Sequence, residues 1–300
     1  MRRFWLENQQ GQIWNLTPKD IHDKRAAFMA DPQGLGIRTR IRSFTINDTY
    51  FIEEVATQAQ TIQGTLFFSG YDHFQRFIDF VGTINTEEPL KLYYSTGGVT
   101  HENKLNKQWY KLVLISELRK TEIDTNTQAL RIPIRFDCMS RWRKDQEITL
   151  ELTRSGDPLV YPFFYPYIYG GSNNLAVEID NTGNLPTPCR IRVEGSTETP
   201  LIRLIQNGEI IDQAQYHITV ATNQHLIIDS DPATQEATLF TLTPDGAVMA
   251  TEDVYYTGER HYAFSNFITI PSGKSLFLVS ALNANFGRVT ISYSTQKELV

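Results

Sequence analysis

Apolar and polar residues exchange every second position over most of this chain, the pattern of strands that bury one face, and one segment alone shifts to a helical period. Phe4-Trp5-Leu6 and Ile13-Trp14-Asn15-Leu16 flank a polar, Gly-containing stretch (7–12) suited to a hairpin turn. Segments 38–46, 61–68, 90–94, 109–118 and 130–138 read as further strands, followed by a polar turn and strand over 139–147. In the first of these, Ile37, Thr39 and Ile41 are expected to face inward and Arg38, Arg40 and Arg42 outward, as a solvated face. Between Ser69 and Gly82 the period changes: Tyr71, Phe74, Phe77, Ile78 and Val81 recur at three and four residues. One helix is expected there, over about 70–82, with Ser69 as its N-cap and Gly82 as a left-handed stop.

Periodicity is lost over 153–174, which holds Ser155-Gly156-Asp157-Pro158, an aromatic and proline cluster from Tyr161 to Tyr169, and Gly170-Gly171-Ser172-Asn173-Asn174. Beyond it, segments 176–179, 189–193, 202–205, 216–220, 225–229, 237–242, 275–280 and 288–293 all read as short strands, so an antiparallel sandwich of the jelly-roll type is expected. No crossover helices separate the strands, which excludes a parallel α/β fold. At 300 residues one core stops growing and chains divide. The expected organisation is a β domain with one helix over 1–152, a linker over 153–174 that the aromatic cluster packs, and a β-sandwich over 175–300.

Charge and motifs narrow the function classes. The net charge is -6 with both signs interspersed, so no basic face is present for nucleic acid. Met1 to Gln10 turns polar after three apolar residues and is expected not to act as a signal peptide, and no apolar run approaches the length of a membrane helix. Cys138 and Cys189 lie far apart without metal-ligand spacing and read as reduced thiols, with a bridge between them left open. Gly34-Leu35-Gly36 lacks the third glycine of a dinucleotide loop and reads as a turn; no Gly-x-Ser-x-Gly elbow occurs. Among six histidines, the nearest approach to a ligand set is His225 with Asp229 and Asp231, read as a surface pair beside an Asp-containing turn, with Leu226 and Ile228 facing the other way. No catalytic, cofactor-binding or metal residue is assigned, and the chain is expected to be non-enzymatic and without a cofactor.

The order of elements then carries the reading. The aromatic hairpin Phe4-Trp5-Leu6 to Ile13-Trp14-Asn15-Leu16, the Gly34-Leu35-Gly36 turn, the alternating strands and the single helix resemble the distal tail protein family of long-tailed phages. In the second half, Pro188-Cys189-Arg190-Ile191-Arg192-Val193-Glu194-Gly195, Leu226-Ile227-Ile228-Asp229, Ile270-Pro271-Ser272-Gly273-Lys274-Ser275-Leu276 and Val289-Thr290-Ile291-Ser292-Tyr293 resemble that family's galectin-like sandwich. The resemblance implies a mainly β protein, a β-sandwich or split-barrel ring domain with one helix followed by a galectin-like jelly roll. It further implies a homohexameric hub at the virion tail tip, made in the host cytoplasm. Its partners would be the major tail tube protein, a tail-associated fibre or lysin protein and, at the rim, receptor-binding proteins. The polar excursion 97–108 is long enough to form a small arm or loop. The competing reading is a carbohydrate-binding sandwich, since jelly rolls occur among lectins and aromatic residues are abundant.

Overall fold

The computed structural model describes residues 2–18, 24–82, 87–95, 108–124, 129–151, 174–281 and 283–300. The expected linker, except Asn174, and the excursion 97–108, except Gln108, lie outside the described residues, as does the aromatic cluster 161–169. The protein is mainly β with one helix among the described residues, and it divides into two compact units, Met1–Lys144 with Lys297–Val300, and Asp145–Gln296.

The first unit contains β1 (Arg3–Glu7), β2 (Ile13–Asn15), β3 (Phe28–Gln33), β4 (Thr39–Ile46), β5 (Thr49–Thr57), β6 (Thr61–Phe68), α1 (Tyr71–Val81), β7 (Leu90–Ser95), β8 (Trp109–Leu118), β9 (Ile123–Asp124), β10 (Ala129–Cys138) and the start of β11 (Trp142–Glu151). Its strands pair antiparallel in the order β3-β6-β10-β8-β7-β1-β2. Asn15 and Ala26 form a parallel bridge, and the Met29 amide donates to the Leu16 carbonyl at 2.8 Å, so β2 returns beside the start of β3 and the sheet curls on itself. The concave side holds the core, where Phe4, Leu6, Trp14, Ile62, Leu66, Leu92 and Phe136 are all buried. Trp5, Tyr93 and Tyr110 make a smaller cluster of their own.

Helix α1 closes this core with Phe74, Phe77, Phe80 and Val81. The buried stripe differs from the expected one: His73 and Phe80 join Phe74, Phe77 and Val81, while Ile78 is half-buried and Tyr71, at the first helical position, is 38% exposed. Gly82 stops the helix as expected, at φ +62 with its N–H on the Ile78 carbonyl at 3.0 Å. Ser69 does not cap it. The N-cap is Gly70 with no side-chain bond, and the Ser69 hydroxyl instead lies 3.1 Å from His73 Nδ1.

Of the described glycines in this unit, Gly34 leaves the least room for a side chain. Its φ is +84, and a Cβ built there would stand 1.8 Å from the Thr61 carbonyl oxygen, so only glycine lets the chain cross β6 at this place. Gln60 secures the same crossing by donating its amide to the Gly36 carbonyl at 2.7 Å. Gly34→Ala is expected to destabilise the first unit by at least about 2 kcal/mol, a loss that a denaturant midpoint will show, whereas Gly11→Ala meets no atom and has only its positive φ against it.

The second unit is a sandwich. Its strands are the remainder of β11, then β12 (Asn174–Asn181), β13 (Thr187–Glu198), β14 (Leu201–Gln206), β15 (Glu209–Gln215), β16 (Thr219–Val220), β17 (Gln224–Asp229), β18 (Glu236–Leu242), β19 (Val248–Asp253), β20 (Thr269–Ile270), β21 (Gly273–Ser280) and β22 (Asn283–Lys297), whose last residue belongs to the first unit. One sheet runs β12-β21-β14-β15; the other includes β19-β18-β17-β13-β22. Ile179, Ile202, Leu204, Phe277 and Val279 from the first face Ile191, Val193, Leu226, Ile228, Val289 and Ile291 from the second in one core, the layering that period-two alternation demands.

Candidate functional site, an exposed hairpin

Among the described residues, strands β4 and β5 pair only with each other. Asn47 and Asp48 join them in a two-residue turn with φ +47 and +60, the left-handed pair that matches strand twist. Every residue of β4 is exposed, and all of β5 except Ala56. The expectation that Ile37 and Ile41 face inward is therefore corrected: they are 46% and 59% exposed. Their alternation is real, but no described residue supplies the buried side.

Register separates the two faces. Ile41 pairs with Val55, Ser43 with Ile52 and Thr45 with Tyr50, so one face carries Ile41, Val55, Ile52 and Tyr50 among Ser and Thr, with no charge among its paired residues and Glu53 unpaired at the bulge. The other carries Arg42 opposite Glu54, an exposed ion pair at 3.6 Å, then Phe44 stacked on Phe51 at 5.5 Å toward the tip. A two-stranded hairpin is at best marginal alone in water, and contiguous exposed apolar surface of this kind marks an interaction site.

The residues considered for chemistry do not converge. His225 and Asp229 share a strand face, as the period requires, but they are buried rather than on the surface, at 6% and 7% exposed. The His225 ring stacks on Phe240 at 5.0 Å, and Arg190 lies 3.9 Å from Asp229. Asp229 and Asp231 build the turn after β17, accepting from the Asp231 and Ala233 amides at 3.0 Å each. Among the described residues no three His, Cys, Asp or Glu side chains come together to hold a metal, and no helix is long and apolar enough to cross a membrane. Cys138 and Cys189 are free thiols, each with its pKa raised by burial, Cys189 to about 12.

Burial lowers the His225 pKa, helped by Arg192 and Arg190 against the opposing pull of Glu194. The unfolded chain therefore binds this proton more readily than the folded one. The stability that neutral His225 contributes is complete above the ordinary histidine value near pH 6.5 and is lost as the pH falls through it toward the depressed folded value. Melting of the second unit is expected to drop on acidification across that window, with a shallower slope for His225→Gln.

Comparison with known proteins bears on this geometry. Residues 3–139 match the family model of the distal tail protein, N-terminal domain. No curated protein matches the chain. Among solved structures, the Dit protein of phage SPP1, described as a paradigm of the hub adsorption apparatus in phages infecting Gram-positive hosts, aligns over 97% of this chain and 98% of its own, at 12% identity and a TM-score of 0.57. A chain of the phage P2 baseplate in its activated conformation with Ca aligns over 100% of both chains, at 14% identity and a TM-score of 0.61. At such identities the likeness is one of fold, and it spans both units.

Proposed function

Because the chain belongs to the distal tail protein family through its residues 3–139, we propose that it is the hub subunit of a phage tail tip, six copies closing a ring that joins the tail tube to the host-adsorption apparatus. The single observation that supports assembly is the β4–β5 hairpin, with its exposed apolar face of Ile41, Val55, Ile52 and Tyr50. A projecting arm that each copy lays on the next is a heterologous contact, and such contacts close into rings when the rotation per subunit allows. The same contact covers strand edges that would otherwise recruit strangers. In this reading the first domain extends over 1–152 and forms the ring, the sandwich from 175 onward is galectin-like, and the protein is structural rather than enzymatic. Its partners are the major tail tube protein, a tail-associated fibre or lysin protein, and receptor-binding proteins; it is made in the host cytoplasm and ends in the virion tail.

Light scattering of the purified chain, with negative-stain imaging, tests the reading. Rings of six subunits around a central hole are expected without added ligand or metal; a protein that stays monomeric when highly concentrated contradicts self-assembly.

A further inference from the structure

Strand β8 carries a lysine where its period calls for an apolar side chain. Lys111 shares the strand face of Val113 and Ile115, both in the first core, and is itself 2% exposed. An ammonium has three N–H donors. One goes to Gln60 Oε1, and the face of the Trp142 ring stands 5.1 Å from Nζ. Among the described residues no other group accepts from Lys111 and no carboxylate pairs with it. Gln60 can do no more, because its amide nitrogen is held by the Gly36 carbonyl at 2.7 Å, which fixes its oxygen toward the lysine. A buried charge without a partner of opposite sign is costly. Burial accordingly pulls the Lys111 pKa below the ordinary lysine value, with Cys138 and Glu298 opposing.

Lys111 and Gln60 line a cavity of about 220 Å³ whose walls all belong to the first unit. Three further parts of the chain complete it: Thr57 and Gln58 at the root of the β4–β5 hairpin, Cys138 to Arg141 between β10 and β11, and Glu298. Register sets Cys138 opposite Val113, so it is the diagonal neighbour of Lys111 on the same face. Glu298 is already engaged, by Arg141 at 3.1 Å and by the Thr57 hydroxyl, which donates to it at 3.5 Å. With Lys111 and Arg141 set against Glu298, the lining carries one positive charge in excess.

We propose that this cavity is a subsite for one carboxylate, which accepts the two remaining N–H groups of Lys111. A carboxylate presents two acceptor oxygens in one plane, and charge-assisted bonds to an ammonium are the strong ones. A single negative charge matches the excess of the lining, whereas a phosphate group, close to doubly charged at neutral pH, exceeds it. The carboxylate belongs either to a free organic acid or to an Asp or Glu of a second chain seated beside the hairpin root; the recognition chemistry is the same. The subsite goes beyond the hub reading and does not depend on it.

The test uses the full chain at fixed ionic strength, with acetate replacing chloride, and reads melting together with saturation transfer to the acetate methyl protons by NMR. Acetate is expected to raise the melting of the first unit and to receive saturation. Lys111→Met keeps the length of the side chain without its charge and is expected to weaken acetate binding at least about tenfold. Cys138→Asp supplies a carboxylate from the neighbouring position and is expected to abolish acetate binding, while Cys138→Ser leaves it in place. The unaltered chain decides the matter even where a variant fails to fold: no saturation transfer, or equal melting in acetate and chloride, overturns the subsite. Binding that Lys111→Met retains in full overturns it as well. In an assembled species, lost acetate binding identifies an Asp or Glu of the neighbouring chain as the occupant and retained binding identifies a free acid, and either sustains the site. A chain that binds acetate yet stays monomeric separates this result from failure of the ring.

Discussion

A chain carrying Ile41→Glu and Ile52→Glu will behave as a folded monomer of 34.4 kDa under conditions where the unaltered chain assembles. Both residues lie on the apolar face of the β4–β5 hairpin, at 59% and 66% exposure. In the free chain, then, the substitutions remove little buried contact, and exposed changes of this kind stay within about 0.5 kcal/mol of neutral, with a modest further cost in strand propensity. In an interface the arithmetic reverses. Burying an unpaired carboxylate costs several kcal/mol, and two of them exceed what one subunit contact can absorb. Solution mass by light scattering reads the assembly, and calorimetry of the same sample shows whether the unit melts as before. If the double variant still forms rings, the hairpin does not make the contact. Arg40→Ala, on the opposite face near the root, supplies the comparison and is expected to assemble.

The hairpin also shows where sequence reading stops. Alternation at 38–46 correctly announces a strand, and the same period implies a buried side; no local pattern can say that both faces stand exposed. Six strands escape the period altogether, the two-residue β9 and β20 because they are too short to show one. In β3, Pro32 and the left-handed Asp31, at φ +48, break the alternation. Strand β5 is exposed on both faces and bulged opposite Arg42 and Ser43, and β19 is exposed throughout, so neither is under pressure to alternate. Strand β15 opens with the exposed pair Ile210 and Ile211 for the same reason. By contrast the mainly β class, the lone helix and its glycine stop are all legible, because each rests on a local rule that burial within the chain enforces.

Phe77→Ala will lower the stability of the first unit by about 3–5 kcal/mol. The side chain is 0% exposed, with Trp14 edge-on at 5.3 Å, Phe68 at 5.4 Å and Phe80 at 6.2 Å. Truncation leaves a cavity walled by three rings, on a helix and strands that the closed sheet keeps from collapsing inward, and each ring forfeits an aromatic contact worth about 0.5–1.5 kcal/mol beyond its area. Tyr71→Ala, six residues earlier on the same helix and 38% exposed, is expected to change little. Because each unit has its own core, a calorimetric scan of the Phe77 variant should show one transition moved down by roughly 10 °C or more and the other in place. A loss below about 1 kcal/mol would mean that α1 is not the lid of the core, and a single transition that moves as a whole would mean that the two units melt as one cooperative body.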